Sequence, residues 1–138
     1  MSNSAKSCMQ FKGYEINSMH FELSKNDINN KEIKISPTFG MTVEDCGKDE
    51  YKVQLTFSLK ASDENPLPFN IDVTMTGDFE LCMEEENDIL KEALLHENTV
   101  AIMFPFLRAV IASLTTTANI NPLILPVINI ANAFNNDK

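Results

Sequence analysis

The chain has 138 residues, 43% hydrophobic and 22% charged, with 11 Lys and Arg against 20 Asp and Glu for a net charge of −9. Length and balance fit one folded domain with a single modest core and argue against a disordered chain, while the acidity repels phosphate backbones and argues against nucleic acid as a partner. Three cysteines, Cys8, Cys46 and Cys82, are odd in number, widely spaced and without a CxxC pair; they predict neither a disulfide framework nor a zinc site, but reduced, packed thiols in a cytoplasmic protein.

The whole of 1–138 is read as a single domain whose first ten residues are polar and expected to be flexible. They carry no apolar core of a secretory signal. Residues 14–23 are the first expected strand, with Tyr14 and Ile16 on one face and Met19, Phe21 and Leu23 on the other. That change of face near Asn17 and Ser18 predicts a bulge or a bend. Residues 33–43 alternate through Ile33, Ile35, Phe39, Met41 and Val43, and Pro37 assigns the segment to a sheet edge or a crossover.

After a turn over residues 45–50, residues 51–60 alternate without a fault, with Tyr51, Val53, Leu55, Phe57 and Leu59 on the apolar face. Residues 69–81 repeat the pattern through Phe69, Ile71, Val73, Met75, Phe79 and Leu81, and Asp72, Thr74, Thr76, Asp78 and Glu80 point the other way. The turn-forming run 62–66 between the two predicts an antiparallel hairpin. Four strands in succession without intervening helices mean an antiparallel sheet, hence an α+β fold.

Helical sequence follows. Residues 88–96 form a short amphipathic stretch behind the acidic run Glu84, Glu85 and Glu86. Asn98 or Thr99 is placed to cap a longer second helix reaching about Ala118, with Pro105 kinking or restarting it. On that helix Val100, Met103, Leu107, Val110, Ile111, Leu114 and Ala118 share a core stripe. The opposite face carries Ala109, Ala112, Ser113 and Thr116, small and uncharged, with Arg108 on the boundary. An exposed helix in so acidic a chain should carry Glu and Lys there. Small residues admit a second backbone, so either a loop of the same chain or a neighbouring subunit covers this face; a homo-oligomer accounts for both faces better.

Residues 1–98 hold all but one of the acids and all but two of the bases, leaving 99–138 almost uncharged. Its apolar stretch 100–114 is interrupted by Pro105 and Arg108 and is shorter than the ~20 residues of a bilayer span, so no membrane insertion is expected. Pro122 and Pro126 hold 123–127 extended, and residues from Asn129 form a short last helix with Ile130, Ala133 and Phe134 on one side. Such a segment either packs onto the sheet or lines a groove that holds apolar peptide.

Chemistry is not signalled. The four glycines are scattered, His20 and His96 have no paired spacing, and Cys46 has no local base. Acid pairs such as Asp63 and Glu64 sit in polar runs. No enzyme activity, metal or cofactor is expected. Nine Phe and seven Met suit an adaptable apolar binding surface, as they also suit a core.

Phe104-Pro-Phe-Leu-Arg108, the helix running on to Ser113 and Leu114, then Pro122-Leu-Ile-Leu-Pro126, Asn129 and Phe134 resemble the SecB protein-export chaperone family. The resemblance covers 98–134, with upstream support from the strand order and from His20-Phe-Glu22. It implies a four-stranded antiparallel sheet, a long helix and a short C-terminal helix, assembled as a dimer of dimers with the helices between the sheets. It further implies an ATP-independent holdase that keeps precursors unfolded in apolar grooves and passes them to the SecA motor. By position, Ile33, Ile35, Leu123, Leu125, Ile128, Ile130 and Phe134 become client-binding candidates; Phe39 and Met41 join them from alternation. Glu22 and Asp72 match acidic positions that meet a basic SecA segment, while Ser18 stands where a further acid is expected. Two alternatives remain open. One is a dedicated chaperone of a single partner such as an antitoxin. The other is a small-molecule-binding or enzymatic domain on the same scaffold, which needs a closed pocket with convergent polar groups that the sequence does not display.

Overall fold

A computed structural model of the chain describes residues 7–24, 37–62, 67–85 and 87–119. Four strands, β1 (Ser7–Leu23), β2 (Thr38–Gly47), β3 (Glu50–Leu59) and β4 (Phe69–Met83), form one antiparallel sheet in the order β1-β4-β3-β2. Three consecutive neighbours with the first strand returned beside the last is a Greek-key order. A helix built from α1 (Asp88–Ala93), a π turn (Leu94–Asn98) and α2 (Thr99–Thr117) covers one face. The result is the two-layer α+β architecture expected from sequence.

The period-two pattern decides which face is covered. Along β3 and β4 the odd positions, among them Val53, Leu55, Phe57, Leu59, Ile71, Val73 and Met75, are buried. They meet Val100, Met103, Phe104, Leu107 and Ile111 of α2. Removing each of the larger side chains from water contributes roughly 1.5–3 kcal/mol. Even positions form the other, polar face. The expected hairpin is present, with Leu59 opposite Ile71 and Leu55 opposite Met75.

β1 is longer than expected, starting at Ser7, and the register shifts between Ile16 and Ser18, where the change of face predicts it. A second shift falls between Phe11 and Gly13. Each extra residue reverses the side-chain parity of the strand. Met9, Phe11, Tyr14, Ile16, Met19, Phe21 and Leu23 therefore all oppose core-facing positions of β4, from Leu81 to Phe69. Two bulges keep an irregular sequence apolar on one side.

β2 begins after Pro37 and lies at the other edge. It turns into β3 through Lys48 and Asp49, both left-handed (φ 54° and 65°), the backbone of a two-residue hairpin turn. Asp45 Oδ1 accepts from the Gly47 N–H at 2.9 Å and steadies the approach. Gly77 leaves room for the helix above it: a Cβ there would stand 2.7 Å from Met103 Sδ and 3.0 Å from the Phe79 ring.

Asn87 caps α1, its side chain accepting from the Leu90 N–H at 3.0 Å. The helical region beyond it corrects two expectations. Asn98 has helical dihedrals and no capping bond, so no break precedes α2; the chain widens into a π turn and continues to Thr117. The reason is packing: Leu95 and Thr99 are buried on the turn between the two segments, and the Thr99 hydroxyl donates to the Leu95 carbonyl at 2.6 Å. Pro105 does not restart the helix either. It lies on the exposed side with Ala101, the residue four positions back whose carbonyl loses its partner, and water can replace the missing bond there. The continuous helix, Asp88–Thr117, has 30 residues and is long and apolar enough to cross a membrane by length and composition alone, unlike the shorter stretch read from sequence; its inner stripe packs on the chain's own sheet. It ends with Asn119 left-handed (φ 65°) and its N–H on the Thr116 carbonyl.

Candidate functional site

Three surfaces carry the residues singled out by sequence. The first is the outer side of α2. Ala109, Ser113 and Thr116 are exposed and Ala112 is half-buried. Phe106 lies three residues before Ala109 and so heads the same stripe. It is 39% exposed and packs against Tyr14 of β1, with ring centroids 5.0 Å apart. Phe11 joins them, 5.8 Å from Phe106 and 5.1 Å from the buried Phe79. The stripe therefore runs into the margin of edge strand β1, where Tyr14 is 38%, Met19 57% and Leu23 63% exposed on the helix side of the sheet. Sequence reasoning placed Tyr14, Met19 and Leu23 in a strand but did not find their exposure. It read Phe106 only as part of a motif and not as the head of this stripe, although the spacing from Phe106 to Ala109 and Ser113 was available.

Arg108 is half-buried at the edge of this stripe, as expected, and its Nε–H is buried without a hydrogen-bond partner among the described residues. An unanswered buried donor costs about 1–3 kcal/mol, which an acceptor on a covering body would relieve.

The second surface is the opposite margin. Phe39 and Met41 are half-buried on edge strand β2, packed against the main core. Phe39 lies edge-on to Phe57 at 5.5 Å and tilted to Phe104 at 6.2 Å. They form a rim between sheet and helix rather than an open face. Ile33, Ile35, Leu123, Leu125, Ile128, Ile130 and Phe134, together with the expected last helix, lie outside the described residues.

The third surface is the polar face of the sheet. Glu22 and Asp72 both sit on it, on adjacent strands: His20 is opposite Asp72, and Glu22 is one pair further along, opposite Asn70. Ser18, opposite Thr74, continues the row. Glu22 is exposed. Asp72 is already engaged, accepting from Ser58 Oγ at 2.8 Å and pairing with Lys60 Nζ at 2.8 Å. Partial burial pushes its carboxyl up, but the bonds from Lys60 and Ser58 and the nearby Lys60 and His20 charges outweigh it, so it titrates below its ordinary value. Lys52 holds Asp78 at 2.7 Å on the same face. Among the described residues no group of three or more His, Cys, Asp or Glu is placed to hold a metal ion.

The chain is 27% identical over 129 residues to an uncharacterised protein of Methanocaldococcus jannaschii, an alignment covering 91% of this chain and 82% of that one. It is 32% identical over 103 residues to the protein-export protein SecB of Anaplasma marginale, covering 75% of this chain but 57% of the relative, so it spans little more than half that protein's length. The fold superposes on the Mycobacterium tuberculosis SecB-like chaperone solved with a ChAD peptide from the HigA1 antitoxin, at a TM-score of 0.71 and 13% identity, over 87% of this chain and 90% of that one. The family described as SecB, preprotein translocase subunit SecB, matches residues 7–138, and the chain belongs to that family.

Proposed function

We propose that this chain is an ATP-independent holdase that keeps unfolded or precursor polypeptides soluble for export, working as a homotetramer in the cytoplasm. The observation that carries the reading is the two-faced sheet: one side is polar and acidic, the other ends at both edges in apolar side chains that the helix Asp88–Thr117 does not fully cover. Sister copies cover the outer stripe of α2, from Phe106 through Ala109, Ala112, Ser113 and Thr116, together with Tyr14, Met19 and Leu23. Clients occupy the rim at Phe39 and Met41, extended by Ile33, Ile35, Leu123, Leu125, Ile128, Ile130 and Phe134. Each subsite removes a little client surface from water at ~25 cal/mol per Å², and many weak subsites in series keep release fast. Glu22 and Asp72 offer charge to a basic segment of a SecA-type motor; because Asp72 is shared with Lys60, Glu22 is the stronger of the two.

The test is light scattering of an aggregating unfolded client with increasing amounts of the chain and no nucleotide. Dose-dependent suppression is expected, and none at several-fold molar excess contradicts the reading. A narrower reading, a dedicated chaperone of one partner, draws on the antitoxin peptide bound to the mycobacterial neighbour. Suppression confined to one co-purifying small protein, with unrelated clients left to aggregate, favours it.

A further inference from the structure

Cys8 and Cys82 stand directly opposite one another on β1 and β4. The three thiols are free and exposed rather than packed as the sequence predicts, and those of Cys8 and Cys82 point to the polar face, since their neighbours Met9 and Leu81 oppose each other on the core side. The kind of pair they form follows from the ladder. The Ser24 N–H donates to the Pro68 carbonyl, so even-numbered positions of β4 turn their backbone groups toward β1. The Leu81 N–H donates the other way, to the Asp49 carbonyl. Cys8 and Cys82 are therefore a hydrogen-bonded pair, for which the Cα–Cα separation is about 5.5 Å, inside the roughly 4.4–6.8 Å that a disulfide accepts.

We propose that Cys8 and Cys82 are a modification site: a cross-strand dithiol that closes reversibly into a disulfide when a small-molecule disulfide is in excess. The thiolate of Cys8 attacks one sulfur of the small disulfide, forming a mixed disulfide and expelling one small thiolate, which takes up a proton. Cys82 then loses its proton and attacks the Cys8 sulfur, expelling the second small thiolate. The protein gives up two protons and two electrons, and one small disulfide becomes two small thiols. Cys82 is the second thiol to react because partial desolvation and the carboxylates of Asp49 and Glu80 push its pKa up, and its Sγ lies 3.9 Å from Asp49 Oδ2. Closure draws together two side chains that the ladder holds at a fixed spacing, and the bond stays exposed. Both features make a disulfide easily reduced again. While closed, it fastens the first residues of edge strand β1 to the strand beside them. Cys46 lies on the other hairpin, its Sγ on the Glu44 carbonyl at 3.8 Å, and is the built-in control.

The experiment incubates the full chain with oxidised glutathione, quenches by alkylation, and reads intact mass and a non-reduced peptide map. Expected are a peptide joining Cys8 to Cys82, with Cys46 carrying at most a glutathione adduct, reversal by reduced glutathione, and a Tm several degrees higher in the closed form. Cys46→Ser should behave in the same way, whereas Cys8→Ser and Cys82→Ser should each stop at a glutathione adduct with no rise in Tm. Three independent adducts without the joined peptide, or linkage only between chains on a non-reducing gel, overturns the proposal.

Discussion

Phe106 of α2 and Tyr14 of β1 meet with ring planes tilted by 38° and neither ring is buried. This contact joins the outer stripe of the helix to the margin of the edge strand, so a body covering one must touch both. Aromatic side chains left open at such a junction are typical anchors of an interface. Ala109→Glu places a charge three residues from Phe106 on that stripe. It should weaken association at least about tenfold, or ~1.4 kcal/mol, while the circular dichroism of the protomer is unchanged. Sedimentation over a concentration series measures it.

Gly77 should tolerate nothing larger. Its φ is not in the left-handed region, so the penalty for Gly77→Ala is steric: the new methyl presses on Met103 Sδ and the Phe79 ring. Overpacking of this kind costs about 1–3 kcal/mol. Urea unfolding should show that loss. The double variant with Met103→Ala should lose less than the sum of the two singles, because the sites share one space.

Asp72 gives a pH signature. Its folded carboxyl titrates below the ordinary value, so its bonds to Lys60 and Ser58 contribute stability above the unfolded pKa of about 4 and lose it as pH falls through the lower, folded value. The group is about a third exposed, which limits the contribution to a few tenths of a kcal/mol, roughly that of a surface pair. Asp72→Asn should therefore lower stability slightly at neutral pH and flatten its fall below about pH 4. Thermal melts between neutral and acid pH decide it, and identical profiles for the two proteins would be the contrary result.

Met41 tests the client rim. Met41→Gln keeps length but adds a polar end to a half-buried apolar side chain. Binding of an unfolded, fluorescently labelled client should weaken several-fold, corresponding to roughly 1 kcal/mol of lost apolar contact, with Tm lowered by only a few degrees. Unchanged client affinity with an intact fold would remove Met41 from the rim.

Strict alternation made β3 and β4 legible, because a period of two over ten or more residues admits little else. β1 was legible through its fault. Apolar residues changing parity at Asn17 and Ser18 had to be restored to one face, and the register shift there does so. The earlier shift near Gly13 was missed because Cys8, Gln10 and Lys12 made the segment look like a polar tail, although Met9 and Phe11 already alternated with them. The helix break failed for the opposite reason. Asn98 and Pro105 are local stop signals, and burial of Leu95, Thr99 and Phe104 overrides them. Gly77 was visible only as the gap in an otherwise apolar row, and its meaning needed Met103 above it. Phe106 was read as part of a motif and not as the head of a stripe. The uncharged outer face of α2, by contrast, was plain from composition, since exposed helices of an acidic chain carry charge.

The most direct measurement is the solution mass of the purified chain by light scattering at micromolar concentration. Coverage of the α2 stripe and the β1 margin by sister copies predicts a mass four times that of the 15.5 kDa protomer, falling when Ala109 is replaced by Glu. A single protomer mass across the whole range, with no change in the variant, would contradict it.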